Sequence, residues 1–388
     1  MKYWRGYLVA AFFAIATVAL TQFAASHRLL MDMVYPYMVR MLLPEVTAWS
    51  NAVDFCLWQT LLLVVIGGIV LSILLMILLR WNPIQVGGWV LAVVFSISFL
   101  NTGLVDLNNY AGSIATDIHL QETEYSTAEL EEAAAYFLKQ ANELSGKVGR
   151  NAKGASQFGT FEELANKAGQ GYEILVYEHS CSIFAGSDSP VKKLTWGDDY
   201  TEQGITGKTV ALTGESAVNP DTPMVALPFT MCHEMAHRMS ITKDHEADFA
   251  AFLAGIHHPD AEFRYSAYFM AYRYCYYSLM NVGATGAAGR VSAEESPAVK
   301  SDMLVYNRFF ADCPEMDLTA TPVSAEGSLL KVGKEGTVVA YGRATDLLVS
   351  WHIQEVVLPL QGNEEQQFNP YDPGQVDLTG LVNAPASQ

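Results

Sequence analysis

Lysine and arginine are scarce in this chain, with 23 among 388 residues against 41 Asp and Glu, for a formal net charge of −18. Such acidity repels phosphate backbones and anionic headgroups, which excludes nucleic acid as a partner and excludes membrane attachment by charge. Cysteine is sparser still. Cys56, Cys181, Cys232, Cys275 and Cys313 contain no CxxC pair, so a cysteine-rich zinc site is excluded and buried thiols are expected. No internal repeat is present. Charge of either sign almost vanishes from residues 1–110, where five Lys/Arg and four Asp/Glu leave a net +1 and assign −19 to the remainder.

What fills that region is apolar. Hydrophobic residues make up 51% of the chain and the mean hydropathy is +0.15, high for a purely soluble protein. Gly6–Ala25 carries no charge; Leu57–Leu79 is the strongest apolar run; Val86–Leu104 is a third. Each is long enough to cross a hydrocarbon core as a helix. The expectation is a transmembrane region over 1–110 with spans at about 6–25, 57–79 and 86–104, and a lipid bilayer as partner. Lys2, Arg5 and Arg80 on one side against Arg28 and Arg40 on the other favour a cytoplasmic N-terminus. Three crossings then place the acidic part, residues 111–360, outside the cytoplasm of a multi-pass cell-membrane protein. Residues 361–388 lack apolar periodicity and read as a flexible tail.

The acidic part reads as α+β, mainly helical with a small sheet. Ser126–Val148 has helical periodicity and opens on a capping box of Ser126 and Glu129. Further helices are expected at Phe161–Lys167, Thr230–Ser240 with Thr230 as cap, Asp244–Ala254, Phe263–Met280 and Tyr341–Trp351. Between Ser187 and Pro228, Gly, Pro, Thr and Asp predict loops with short strands, Lys208–Thr213 being the clearest.

Chemistry concentrates in His233-Glu234-Met235-Ala236-His237. Histidines four apart on a helix project from one face and can share one metal ion, for which zinc is expected. Glu234 between them is placed to take a proton from metal-bound water and return it to a leaving amine. A catalytic zinc site needs a third protein ligand, and Asp244 and Glu246 both open the next helix. Either could serve; Asp244 could instead cap that helix, and Glu246 could instead favour its dipole. Asp248, one turn beyond Asp244, is the candidate to orient a ligating histidine. Cys232, His257 and His258 are expected to lie off the metal. The aromatic run Phe263–Met280 reads as core.

The three apolar spans together with GKTVALTGESAVN, PFTMCHEMAH, EADFAAFLA, FRYSAY and LLKVGKEGTVVAYGRATDLL resemble the bacterial domain-of-unknown-function family 3810, from about Tyr35 to about Leu348. That resemblance implies a membrane-bound, zincin-like metallopeptidase with the family's HExxH on His233, Glu234 and His237 and its acidic pair on Asp244 and Glu246. The chain departs from the family at Asp244, where Glu is usual, at Asp248, where Asn is usual, and at Ser240, where Gly is usual. Zincins pair substrate with a sheet edge, which implies Thr209, Val210, Ala211 and Leu212 as the substrate strand. Glu215 and Asn219 are either substrate contacts or turn-stabilising residues, and Tyr341 and Arg343 are candidates for stabilising an oxyanion. The leading expectation is zinc-dependent hydrolysis of peptide bonds in peptides or proteins; the alternative is a zincin-fold sensor or scaffold that binds a protein partner without turnover.

Overall fold

The computed structural model describes residues 2–178, 180–186, 189–311, 331–332, 337–339 and 344–360. Four long helices come first: α1 Arg5–Ser26, α2 Arg28–Ser50, α3 Leu57–Leu78 and α4 Pro83–Leu104. Of these, α1, α3 and α4 are long and apolar enough to cross a membrane, matching the three expected spans. Asn82 caps α4 through a bond from Ile84 N, and Pro83 supplies the preset φ of a first turn. α1 packs along α4 through glycine: a Cβ at Gly6 would overlap the backbone of Gly88 and Trp89.

α2 was not anticipated. The helix runs through both Pro36 and Pro44. Its buried residues Met31, Tyr35, Val39, Leu43 and Thr47 fall four apart, on one stripe.

The remaining elements are α5 Ile114–Asp117, α6 Thr127–Ser145, α7 Phe161–Lys167, α8 Gln170–Tyr177, α9 Gly197–Glu202, α10 Leu227–Arg238, α11 Asp244–His257, α12 Ala261–Asn281, α13 Thr285–Ala293, α14 Pro297–Ala311 and α15 Ala344–His352. Among the described residues there are six short strands, β1 Tyr125–Ser126, β2 Lys192–Lys193, β3 Gly207–Val210, β4 Glu215–Val218, β5 Lys331–Val332 and β6 Thr337–Val339. They form two three-stranded sheets, β1-β6-β5 and β2-β4-β3. The expected capping box at Ser126 and Glu129 is present, with a second at Thr160 and Glu163. α10 starts three residues earlier than Thr230, because Pro228 suits the first turn, so Thr230 is not its cap. α13 and α14 were not anticipated. The tail 361–388, with Tyr341 and Arg343, lies outside the described residues.

The largest of three apolar clusters organises the helices beyond the spans. α11 sits inside it, with Ala247, Ala250, Ala251 and Ala254 fully buried, and these small side chains let α10 and α12 close on it. Gly255 continues the close approach, since a Cβ there would overlap Ala267 of α12. Phe137 of α6, Phe252 of α11 and Trp351 of α15 meet edge to face or stacked, with centroids 5.0–6.2 Å apart.

Candidate metal centre

α10 carries His233 and His237 on one face, one turn apart, as their spacing requires. Each ring is oriented through Nδ1: His233 lies 2.7 Å from Asp248 Oδ1, and His237 lies 2.7 Å from the backbone oxygen of Ile241. With the Nδ1 positions committed as donors to these oxygens, the two Nε2 atoms face each other 3.1 Å apart. Two bare lone pairs at that distance repel unless a proton or a metal cation stands between them. Asp244 completes the group, its Oδ1 3.4 Å from His237 Nε2, and the three ligand atoms all lie within 4.8 Å of one another. Ligands bound tetrahedrally at about 2 Å from zinc are about 3.3 Å apart, close to the 3.1 and 3.4 Å separations around His237 Nε2, so this donor set could hold such an ion.

Of the two acids left open by the sequence, Asp244 is brought to the histidines and Glu246 is not. Asp244 is the first residue of α11, with Lys243 in the cap position, so Asp244 does not cap. Glu246 lies two residues on, about 200° around the helix. It is buried, pairs with Lys243 Nζ at 3.0 Å, and borders a small cavity with Arg40 and Asn108 instead of the histidines. Asp244 and Asp248, one turn apart, share the face that meets α10.

Electrostatics follow from this crowding. Burial disfavours the His233 cation, but Asp248, then Glu234 and Asp244, outweigh it and lift the imidazole to about 9. The hydrogen bond to His237 is the main cause holding the Asp244 carboxyl below its usual range.

Glu234 is buried and points toward the sheet. The Thr209 hydroxyl donates to its Oε2 at 2.7 Å, and the Ser216 hydroxyl donates to its backbone oxygen at 2.7 Å. Gly207 makes this approach possible, because a Cβ there would overlap the Glu234 carboxylate. β3 is an edge of its sheet, paired only with β4 among the described residues. Thr209 and Val210 lie in the strand. Ala211 and Leu212 do not: the chain turns after Val210 and returns as β4 after Gly214, whose φ of +63° favours glycine. Asn219 fits the turn-stabilising reading, accepting from Asp221 N, whereas Glu215 stabilises no turn and instead ties β4 to Lys192 and to the start of α3. Both are buried, Glu215 paired with Lys192 at 2.7 Å and Asn219 bonded to Thr201, Ile205 and Asp221.

The donor cluster, Glu234 and β3 share a cleft of about 690 Å³, a volume typical of ligand sites. Sequence reasoning missed Tyr274, Tyr306 and Phe310, which also line it. Tyr274 is buried, and burial first, then the Asp248 carboxylate, raises its phenol well above the usual range. Its only advance signal was a position four residues after Met270, another lining residue, within a run that reads as uniform core. A larger opening of about 1030 Å³ lies among the spans, lined by residues such as Val65, Ile69 and Val93, with none of the metal-type donors. Cys232, His257 and His258 face elsewhere: the Cys232 thiol is buried near Ala168 O, and the two histidines bond to Leu253 O and Lys167 O.

A family model described as "Protein of unknown function (DUF3810)" matches residues 31–349, most of the chain, and the protein belongs to that family. No curated protein and no solved structure matches it.

Proposed function

We propose that this protein is a membrane-anchored zinc metallopeptidase of zincin type, with His233, His237 and Asp244 as the metal ligands and Glu234 as general base. The observation that carries the reading is the convergence of two oriented Nε2 atoms and one carboxylate within 4.8 Å, one helical position from a buried glutamate. Zinc bound there would polarise a substrate carbonyl and make water a nucleophile at neutral pH. The chain's own groups supply the rest. Asp248 and the Ile241 carbonyl fix the tautomers that keep both Nε2 atoms available. Thr209 holds one oxygen of Glu234 so that the carboxylate can accept a proton from water and hand it to the leaving nitrogen. The free edge of β3 can pair with an extended polypeptide laid across the cleft. A cytoplasmic N-terminus, which places the cleft outside the cytoplasm, completes the reading.

Purified full-length protein is expected to hold stoichiometric zinc and to cleave polypeptide. Glu234→Gln should keep the metal and lose cleavage by at least about a hundredfold, the usual scale for general-base loss. Asp244→Ala should lower zinc content, whereas Glu246→Ala should leave it intact in whatever fraction folds. Wild type that takes up no zinc overturns the reading; zinc without cleavage leaves a binding scaffold instead.

A further inference from the structure

The cleft reaches the end of an apolar span. Leu104, the last residue of the span α4, and Val105 line the same cleft as His233, Glu234 and Asp244. Three residues on, Asn108 donates through Nδ2 to Ser240 O at 2.5 Å and to Thr242 Oγ1 at 3.1 Å, in the loop that joins α10 to α11. The start of the span α3 is held from the other wall: Glu215 on β4 accepts from Leu57 N and Trp58 N, both at 2.8 Å. The ends of two spans are thus built into the two sides of the site.

α2 follows from the same topology. With α1, α3 and α4 crossing, the end of α1, the start of α3 and the end of α4 lie on one membrane face. α2 has 23 residues and is about 35 Å long. It joins α1 through His27 alone and α3 through residues 51–56, a connection that reaches at most about 20 Å. A helix standing upright on the membrane could not return over that distance, so α2 lies across the surface. One face is fastened to the protein: Tyr35 Oη donates to Gly103 O at 2.9 Å, Arg40 Nε to Met239 O at 3.0 Å, and Thr47 Oγ1 to Gly214 O at 2.7 Å. The other leaves Leu29, Met33, Tyr37, Met41 and Trp49 between 53% and 77% exposed, with the exposed Glu45 the one charge in that row.

We infer that this apolar face of α2 is embedded in the leaflet beneath the folded domain, so that the cleft opens at the bilayer surface and its substrate is the juxtamembrane stretch of a membrane-anchored polypeptide. The occupant of the face is lipid because α2 begins two residues after the span α1 ends, which leaves no distance in which to leave the membrane. Binding is apolar: α2 carries two arginines, one aspartate and one glutamate, and the domain beyond it is strongly acidic, so anionic headgroups contribute nothing. The substrate class rests on the peptidase reading above. A chain emerging from the bilayer is extended before it folds, the form an edge strand pairs with. The apolar side chains of Phe229, Met270 and Phe310 along the cleft suit the apolar residues that flank membrane spans.

Two measurements on full-length protein in phosphatidylcholine vesicles test this. Single cysteines replacing Met33, Met41 or Lys153, with Cys181 and Cys313 changed to Ser, are labelled with a polarity-sensitive fluorophore. Lipid brominated on its acyl chains should quench the labels at 33 and 41 and leave the exposed position 153 unquenched; equal quenching at 41 and 153, or none at either, overturns the inference. Single-span substrates then display one cleavable peptide at about 5 or about 40 residues from the bilayer, the second being far beyond reach of a surface-bound cleft. Cleavage should fall at least tenfold from near to far. A flat profile overturns the juxtamembrane inference and leaves the peptidase reading standing. No cleavage at either distance, nor of the free peptide, by protein that passes the quenching test overturns the peptidase reading and the substrate class with it.

Discussion

On the helical side of the cleft, α10, α11 and α12 meet through alanines, glycine and aromatic rings, all within one apolar cluster. On the strand side, β3 and β4 are held by a short set of polar pins: Lys192 to Glu215, Glu215 to the start of α3, and Thr47 to Gly214. Apolar packing is redundant, so the loss of one contact is partly absorbed by its neighbours. A buried ionic pin is not, because removing one partner leaves the other charged and unsolvated. The histidines stand on the redundant wall, while the side chain that holds Glu234, Thr209, stands on the pinned one. Both walls therefore meet the membrane helices, but differently: the metal-ligand wall touches them at the α10–α11 loop, through Asn108 and Arg40, whereas the strands that hold the Glu234 side chain are fastened to α2 and α3 directly.

The largest expected effect is Glu215→Ala. It leaves the Lys192 ammonium, whose side chain is 8% exposed, with only the Ser50 and Phe55 carbonyls and no counter-charge, and takes the acceptor from two N–H donors at the start of α3. A loss of about 3–5 kcal/mol is expected. Thermal unfolding and hydrogen exchange across residues 207–218 read it out, and Glu215→Gln, which keeps acceptors but not charge, should fall between. Overpacking the opposite wall should cost less: Ala251→Leu in fully buried α11 is expected to destabilise by about 1–3 kcal/mol, lowering Tm while exchange at 207–218 stays at the wild-type rate. If Ala251→Leu proves the more damaging, or if it loosens the strands, the distinction between the walls fails.

The comparison also explains which parts were legible in the sequence. The helices announce themselves locally: the four-residue spacing of His233 and His237, the alanine spacing of α11, the Ser126–Glu129 capping box of α6. The three spans do so by length. What was not legible depends on rotation or on distant partners. Asp244 and Glu246 are equally close to His237 in sequence, and only the docking of α11 through Ala247, Ala250 and Ala251 decides which carboxylate turns toward α10. α2 was hidden by two prolines, whose missing N–H groups leave the carbonyls of Asp32 and Arg40 without their usual partners inside the helix. Ala211 and Leu212 continue the apolar run of β3, but Gly214 forces the return before they can pair. Tyr274 faces the cleft from a helix buried on nearly all sides, where no polar stripe marks a functional face.

The smallest effect at neutral pH, and the one that separates the helical core from the pinned wall most cleanly, is a pH dependence at His352. The ring is buried at the end of α15 against Tyr136, 5.0 Å between centroids, and burial lowers its pKa to about 4. The folded state therefore keeps the imidazole neutral, while the unfolded chain protonates it near 6.5. A group whose folded value is depressed contributes in full above the unfolded value and loses that contribution as pH falls toward the folded one. Stability should accordingly be unchanged by this group above about pH 7 and should decline from about pH 6.5 to about pH 4. In His352→Phe, which keeps an aromatic ring among Tyr136 and Phe137, the decline over that window should be shallower while Tm at pH 8 stays close to wild type. Because His352 touches the helical core and not β3 or β4, hydrogen exchange at residues 207–218 should not follow the same titration; exchange there that tracked the variant would mean that the two walls unfold as one unit.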